Sequence, residues 1–185
     1  SDAEELLKEA REVSKRTKDT LDEINKDVKR ISEETKKRLK KTNEEIKEIA
    51  DRLRKELERI KDKKTLEDVV REVERRLEDS LRRDRKIVEE SRRRLKETLD
   101  RLEKVIRDSE RRLKEILEEL ERRGVSEDIL RELKKLVDDN RKTLKEVLET
   151  HEELLRDNSR KLERNVERHA KLVRDIKEEL KETTR

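Results

Sequence analysis

The sequence predicts an all-α fold: a single-chain, antiparallel, up-down-up three-helix bundle, long and essentially straight. Three observations carry it. Leucine or alanine returns every eighteen residues, at Ala3, Leu21, Leu39 and Leu57, then Leu77, Leu95 and Leu113, then Leu136, Leu154 and Leu172, and in parallel Leu144, Leu162 and Leu180. Eighteen residues are five turns at about 3.6 residues each, so the stripe stays on one face without supercoiling. Two short breaks divide the chain into three nearly equal pieces. Between the breaks there is no Pro and no Gly, and Lys, Glu and Arg fill the positions off the stripe; all three are strong helix formers.

The first helix is expected over about residues 2–62. Ser1 stands as its N-cap with Glu4 three residues on, a capping-box spacing. Its stripe runs through Leu6, Leu7, Ala10, Val13, Leu21, Ile24, Val28, Ile31, Leu39, Ile46, Ile49, Leu53, Leu57 and Ile60. The second helix is expected over about 66–123, after Asp62-Lys63-Lys64-Thr65, with Thr65 as N-cap and Asp68 at the N3 position. The third, about 127–184, follows Gly124-Val125-Ser126. The single glycine of the chain serves there as a left-handed C′ residue, and Ser126 caps the next helix ahead of Glu127 and Asp128. Connections this short force antiparallel neighbours, and three stripes of this width close on one another as a single domain with one continuous core. Helices of this length would span roughly 85 to 90 Å.

Composition excludes several functions. The 185 residues are 58% charged and 28% hydrophobic, with no aromatic residue, Cys or Met. Such polarity ordinarily marks disorder, but disordered chains are rich in Pro, Gly and Ser and lack apolar periodicity. The 56 Lys and Arg interleave with 52 Asp and Glu for a net charge of +4, whereas a nucleic-acid binder gathers its cations on one face, often beside aromatics for stacking. The basic runs Arg82-Arg83, Arg85-Lys86 and Arg92-Arg93-Arg94 are flanked by acids and read as solvated helix faces. No apolar run is long enough to span a membrane or to serve as a signal-peptide core. Without Cys there is no disulfide framework and no statement about compartment.

The stripe has polar exceptions. They are Ser14, Thr17, Asn25, Ser32, Thr35, Thr42 and Asn43 on the first helix; Ser80, Asp84, Ser91, Thr98 and Ser109 on the second; and Asn140, Thr143, His151, Asn158, Asn165 and His169 on the third. If the loops set the register, residue i of the first helix lies near 127 − i on the second and near i + 123 on the third. Ser14 and Thr17 then meet Ser109 and Asn140. Asn25 meets Thr98 and His151, and Ser32 and Thr35 meet Ser91 and Asn158. Thr42 and Asn43 meet Ser80, Asp84, Asn165 and His169. A buried polar atom without a partner costs about 1–3 kcal/mol, so polar residues at shared heights read as cross-helix hydrogen-bond networks. Apolar ends flank them: Leu6 and Leu7 with Ile116, Leu120, Ile129 and Leu133, and Leu53, Leu57 and Ile60 with Leu66, Val70, Val73, Val173 and Ile176. A bundle of near-identical Leu layers could slip by a turn or exchange helices between chains; displaced networks would leave polar atoms unpaired in several layers at once.

Ser80, Asp84 and His169 have the composition of a hydrolytic triad. Helix interiors have already committed their N–H groups, however, so no oxyanion hole is available, and the site would be closed on all sides. The two His lie about 27 Å apart along the axis, with no Glu-x-x-His pair to complete a metal site. One glycine makes no phosphate loop, and no aromatic lining defines a ligand pocket. No catalytic, cofactor or metal residue, and no partner, is expected.

The eighteen-residue period, the caps Ser1, Thr65 and Ser126, the Gly124 stop and the polar layers together make the chain resemble computationally designed straight three-helix bundles with buried hydrogen-bond networks. The resemblance covers essentially the whole chain and implies a hyperstable, monomeric scaffold with no catalytic residues. The competing reading is an interaction or assembly module, either a designed oligomer or a domain-swapped dimer that preserves every layer. Spectrin-like repeats would carry aromatic core residues and shorter helices. Tropomyosin-like rods would keep unbroken heptads.

Overall fold

The computed structural model describes residues 2–183, and every described residue outside two short connections is helical. The helices are α1 (Asp2–Arg59), α2 (Lys63–Arg122) and α3 (Glu127–Thr183), of 58, 60 and 57 residues. Ser1, and with it the expected capping box at Ser1 and Glu4, lies outside the described residues, as does the last residue of the helix expected to reach 184.

The first connection differs from expectation. α1 ends at Arg59 and α2 begins at Lys63, ahead of Thr65. The cap is Asp62: its Oδ2 accepts from the Thr65 backbone N–H at 3.3 Å and from the Thr65 hydroxyl at 2.8 Å. Thr65 is therefore the N3 residue, donating to the cap through both its amide and its hydroxyl, and Asp68 falls one turn further in. A carboxylate accepts both donors and offsets the amide dipoles of a helix whose first turn carries no acid of its own. The Thr65 hydroxyl, followed by the Thr65 and Lys64 amides, holds the Asp62 carboxyl below its ordinary value.

At the second connection Gly124 has φ +65°. Its N–H donates to the Glu121 carbonyl at 3.2 Å, and the Val125 N–H to the Leu120 carbonyl at 3.5 Å. This pair of bonds is a Schellman motif, and Val125 folds back onto the apolar cluster that contains Leu120. α3 opens at Glu127, immediately after Ser126, whose carbonyl accepts from the Leu130 N–H at 3.2 Å.

Contacts divide the chain into two compact units. Unit 1 comprises the chain up to Arg30 with Arg94–Arg156; unit 2 comprises Ile31–Arg93 with the chain from Asp157 onward. Each contains a segment of all three helices. In unit 1, Leu7, Ala10, Leu113, Ile116, Leu120 and Leu133 are buried together, with Leu6, Val13, Leu117 and Ile129 packed against them. Arg112 on α2 binds Glu9 on α1, with Nε–Oε1 at 2.7 Å, and Arg11 on α1 binds Glu132 on α3. Together with Arg101–Asp27, the Arg112–Glu9 pair runs α1 and α2 antiparallel within the unit, since the α2 partner falls as the α1 residue rises.

In unit 2, one cluster gathers Ile46, Ala50, Leu53, Val70, Val73, Leu77, Val173, Ile176 and Leu180, and a second gathers Leu39, Ile87, Val88 and Leu162. Ile60 and Leu66, expected at the apolar end, are half-buried beside the connection. Arg38–Glu90 at 3.1 Å and Lys177–Glu78 at 2.6 Å give the same antiparallel order.

Two series on α3 share the eighteen-residue period but not the same depth. Leu144, Leu162 and Leu180 are buried, whereas Leu136 and Leu172 are half-buried and Leu154 is 41% exposed. The second series lies at the edge of the stripe, where a helix packed on two partners runs out of cover.

Nothing lies within 4 Å of a Cβ built at Gly124, so a substitution there tests backbone strain alone. Gly124→Ala is expected to lower the unfolding free energy by about 1–2 kcal/mol, the cost of a left-handed L-residue, read as the shift of the guanidinium midpoint at unchanged slope.

Candidate functional site

The groups with chemical potential are the polar side chains of the stripe. Ser14, Thr17, Thr35, Thr42, Ser80, Asp84, Ser91, Thr98, Ser109, Asn140, His151 and His169 are buried. Asn25, Ser32, Asn43, Thr143, Asn158 and Asn165 are half-buried at the stripe's margin, where amide groups keep access to water.

Unit 1 holds two cross-helix contacts. Asn140 Nδ2 on α3 donates to Ser109 Oγ on α2 at 3.0 Å. Thr98 Oγ1 on α2 lies 3.4 Å from His151 Nε2 on α3. Thr98 Oγ1 is also 2.6 Å from the Leu95 carbonyl. A hydroxyl has one proton, and the shorter bond to an acceptor-only carbonyl takes it. The histidine therefore donates: His151 carries its proton on Nε2, and Nδ1 is a bare lone pair. That Nδ1 is buried and has no partner. Thr17 donates to the Val13 carbonyl of its own helix at 2.7 Å.

Unit 2 holds three. Asn158 Nδ2 on α3 donates to Ser32 Oγ on α1 at 2.6 Å. Thr35 Oγ1 lies 2.7 Å from the Ile31 carbonyl and 3.1 Å from Ser91 Oγ on α2; by the same proton count, Thr35 donates to the carbonyl and Ser91 donates to Thr35. His169 Nδ1 on α3 is hydrogen-bonded to Asp84 Oδ2 on α2, and Asp84 Oδ1 is buried without a partner. Thr42 donates to the Arg38 carbonyl at 3.1 Å. Ser80 accepts from Arg83 Nη2 at 3.2 Å, and Arg83 also reaches Glu45 on α1 at 3.5 Å. The role of Arg83 is legible in the sequence only as an arginine three residues after a serine, a spacing that α2 repeats at Ser91–Arg94 and Ser109–Arg112.

Of the expected layer members the structure brings together Ser109 with Asn140, Thr98 with His151, Thr35 with Ser91, Ser32 with Asn158 and Asp84 with His169; among the described residues no cross-helix hydrogen bond joins Ser14, Thr17, Asn25, Thr42, Asn43 or Asn165 to its expected layer. Each of the five cross-helix bonds joins only two helices, and threonine contributes to that limit. Its hydroxyl reaches back to a carbonyl three or four residues earlier, spending the proton that a three-helix relay would need. Ser80, Asp84 and His169 do not form a triad: His169 binds Asp84, while Ser80 is engaged by Arg83.

Burial pushes the His151 ring below its ordinary value of 6.5, opposed weakly by Glu152. Burial pushes His169 in the same direction. Among the described residues no group of three His, Cys, Asp or Glu is placed to hold a metal ion, and no helix is long and apolar enough to cross a membrane. A groove of about 710 Å³ opens in unit 1 over Leu113, Leu117, Val137 and Asn140. Two of its rim cations, Arg107 and Arg111, are paired with Glu103 and Asp108 on their own helix, the arrangement of a solvated face.

No protein-family model matches the chain, and no curated protein matches it. Among solved structures it is similar to a chain described as a computationally designed three helix bundle, with 22% identity and a TM-score of 0.43 over 99% of this chain and 86% of that one.

Two outcomes test the pairs. Ser109→Ala strands the buried Asn140 amide and is expected to cost about 1–3 kcal/mol, whereas Ser109→Ala with Asn140→Leu recovers most of the loss, read from chemical denaturation. His151, depressed in the folded chain, binds fewer protons there than when unfolded. Its contribution to stability is full above pH 6.5 and is lost as pH falls below it. Melting of His151→Gln in unit 1 is expected to show a smaller loss across that window than the parent chain.

Proposed function

We propose that the chain is a designed structural scaffold with no substrate, whose buried polar pairs specify register and the monomeric state. The observation that carries this reading is the placement of five cross-helix polar contacts, Ser109–Asn140, Thr98–His151, Thr35–Ser91, Ser32–Asn158 and Asp84–His169, on largely aliphatic stripes. Slipping one helix by a turn would separate all of its pairs together, at about 1–3 kcal/mol for each stranded group, while aliphatic layers would lose little. The surface supports a monomer: among the described residues Leu154 is the exposed large hydrophobic side chain, and one leucine is no interface.

Cross-helix ion pairs such as Arg101–Asp27 at 3.1 Å and Arg92–Glu163 agree with the same register. They are exposed and contribute about 0–1 kcal/mol each, so discrimination falls to the interior. The catalytic reading has no support beyond composition and one acid–histidine bond, because Ser80 is engaged by Arg83 rather than by His169.

Light scattering coupled to gel filtration tests the proposal. The parent chain is expected at 22.6 kDa. A variant with Ser91, Ser109, Asn140, His151 and Asn158 changed to aliphatic residues is expected to be at least as stable, yet to distribute among several masses as helices exchange. A single monomeric species for that variant, with one set of amide resonances, would sink the specificity role. A parent at twice the mass would favour the swapped dimer.

A further inference from the structure

Two histidines lie eighteen residues apart on α3 and each is met from α2, at positions that are not counterparts: Thr98 contacts His151 through Nε2, and Asp84, one turn beyond Ser80, the counterpart of Thr98, bonds His169 through Nδ1. We infer that the chain carries a built-in, local acid response, in which proton uptake at His151 loosens unit 1 around residues 94–102 and 147–155 while the His169–Asp84 station of unit 2 stays closed. The argument is geometric.

His151 donates from Nε2 to a hydroxyl whose own proton is committed to Leu95, so an arriving proton must take Nδ1. Nδ1 is buried and faces no acceptor. The imidazolium would thus hold an unsatisfied N–H and an uncompensated charge together, and fixed charge without a partner is the costliest thing to bury. By register, the charged groups at this height are Glu152 on α3, Asp27 on α1, and Arg94 and Arg101 on α2. Asp27 already accepts from Arg30 at 3.0 Å and from Arg101 at 3.1 Å. Glu152 reaches toward Arg156 at 3.9 Å and acts on the ring only through space. The ring's Nδ1 has no hydrogen-bond partner among them.

At His169 the same proton has a different fate. The ring is bonded to the Asp84 carboxyl group, whose second oxygen is buried without a partner. A proton entering this pair cancels buried negative charge, so the fold tolerates it. The neighbouring charges, Arg83 on α2 and Glu45 on α1, engage each other at 3.5 Å and leave the pair to itself.

Hydrogen exchange read by mass spectrometry on the full chain at about pH 7.5 and about pH 4.5, corrected for intrinsic rates, tests this. Amides of 94–102 and 147–155 are expected to lose about tenfold or more of their protection in acid, and those of 80–88 and 165–173 less than about threefold. Equal losses at both stations, or none at the first, would overturn the proposal. His151→Gln, which cannot titrate, is expected to abolish the acid-specific loss; if the loss persists, another group is responsible and the proposal fails. Asp84→Asn is expected to make 165–173 acid-sensitive. An Asp84→Asn chain that keeps its acid protection there would refute the assigned role of the pair.

Discussion

Burying a scarce apolar complement is the constraint on which everything else in this chain depends. Only 28% of residues are hydrophobic and none is aromatic, so no helix can spare leucines for its outer face. Each fully buried Leu, Ile or Val contributes about 1.5–3 kcal/mol, and the ordering entropy of a helix is met only where such residues follow one another along a single line. The period of eighteen holds that line in place on α1, α2 and α3. Lys, Glu and Arg on the remaining positions supply helix propensity and water contact and add little packing. Most of their ion pairs lie within one helix, such as Arg76–Glu72 at 3.1 Å, or at the rim of a helix pair.

A core assembled this way is stable but repetitive. Leu77 and Leu95 present nearly the same shape to their neighbours, so aliphatic packing distinguishes poorly between one register and the next. Directional bonds supply the difference, and their reach is set by proton counting. Serine and asparagine bridge helices freely: Ser109 accepts from Asn140, Ser32 accepts from Asn158, and Ser91 donates to Thr35. Threonine bonds its own helix first, at Val13, Ile31, Arg38 and Leu95. Layers that could join three helices therefore resolve into pairs.

The architecture was legible in the sequence because period, caps and stop residues are local signals. The three helices, their antiparallel order and the heights of the polar residues follow from them. Depth is less legible. Periodicity gives the angle of a side chain around its helix but not how far its neighbours extend, and so Leu154 shares the period of Leu162 without its burial. The N-cap of α2 was misplaced for a related reason. Asp62 and Thr65 are both good caps, and the choice falls to Asp62 because its charged carboxylate accepts from amide and hydroxyl more strongly than a neutral hydroxyl would. Connectivity was least legible of all, because a list of residues at one height does not say where each hydroxyl proton goes.

The two histidines show how far position and chemistry come apart in a repetitive frame. His151 and His169 hold the same place in the period and are equally buried, and burial pushes both rings toward the neutral form. What separates them is the α2 residue that meets each ring, at positions one turn apart in the repeat. A threonine whose proton is already spent leaves His151 a donor with an idle lone pair; an aspartate gives His169 a partner for its Nδ1. Apolar layers make such stations interchangeable in shape, so a single facing side chain decides whether a buried ring resists a proton or shares one. In a core this uniform, the chemistry resides almost entirely in the few residues that break the pattern.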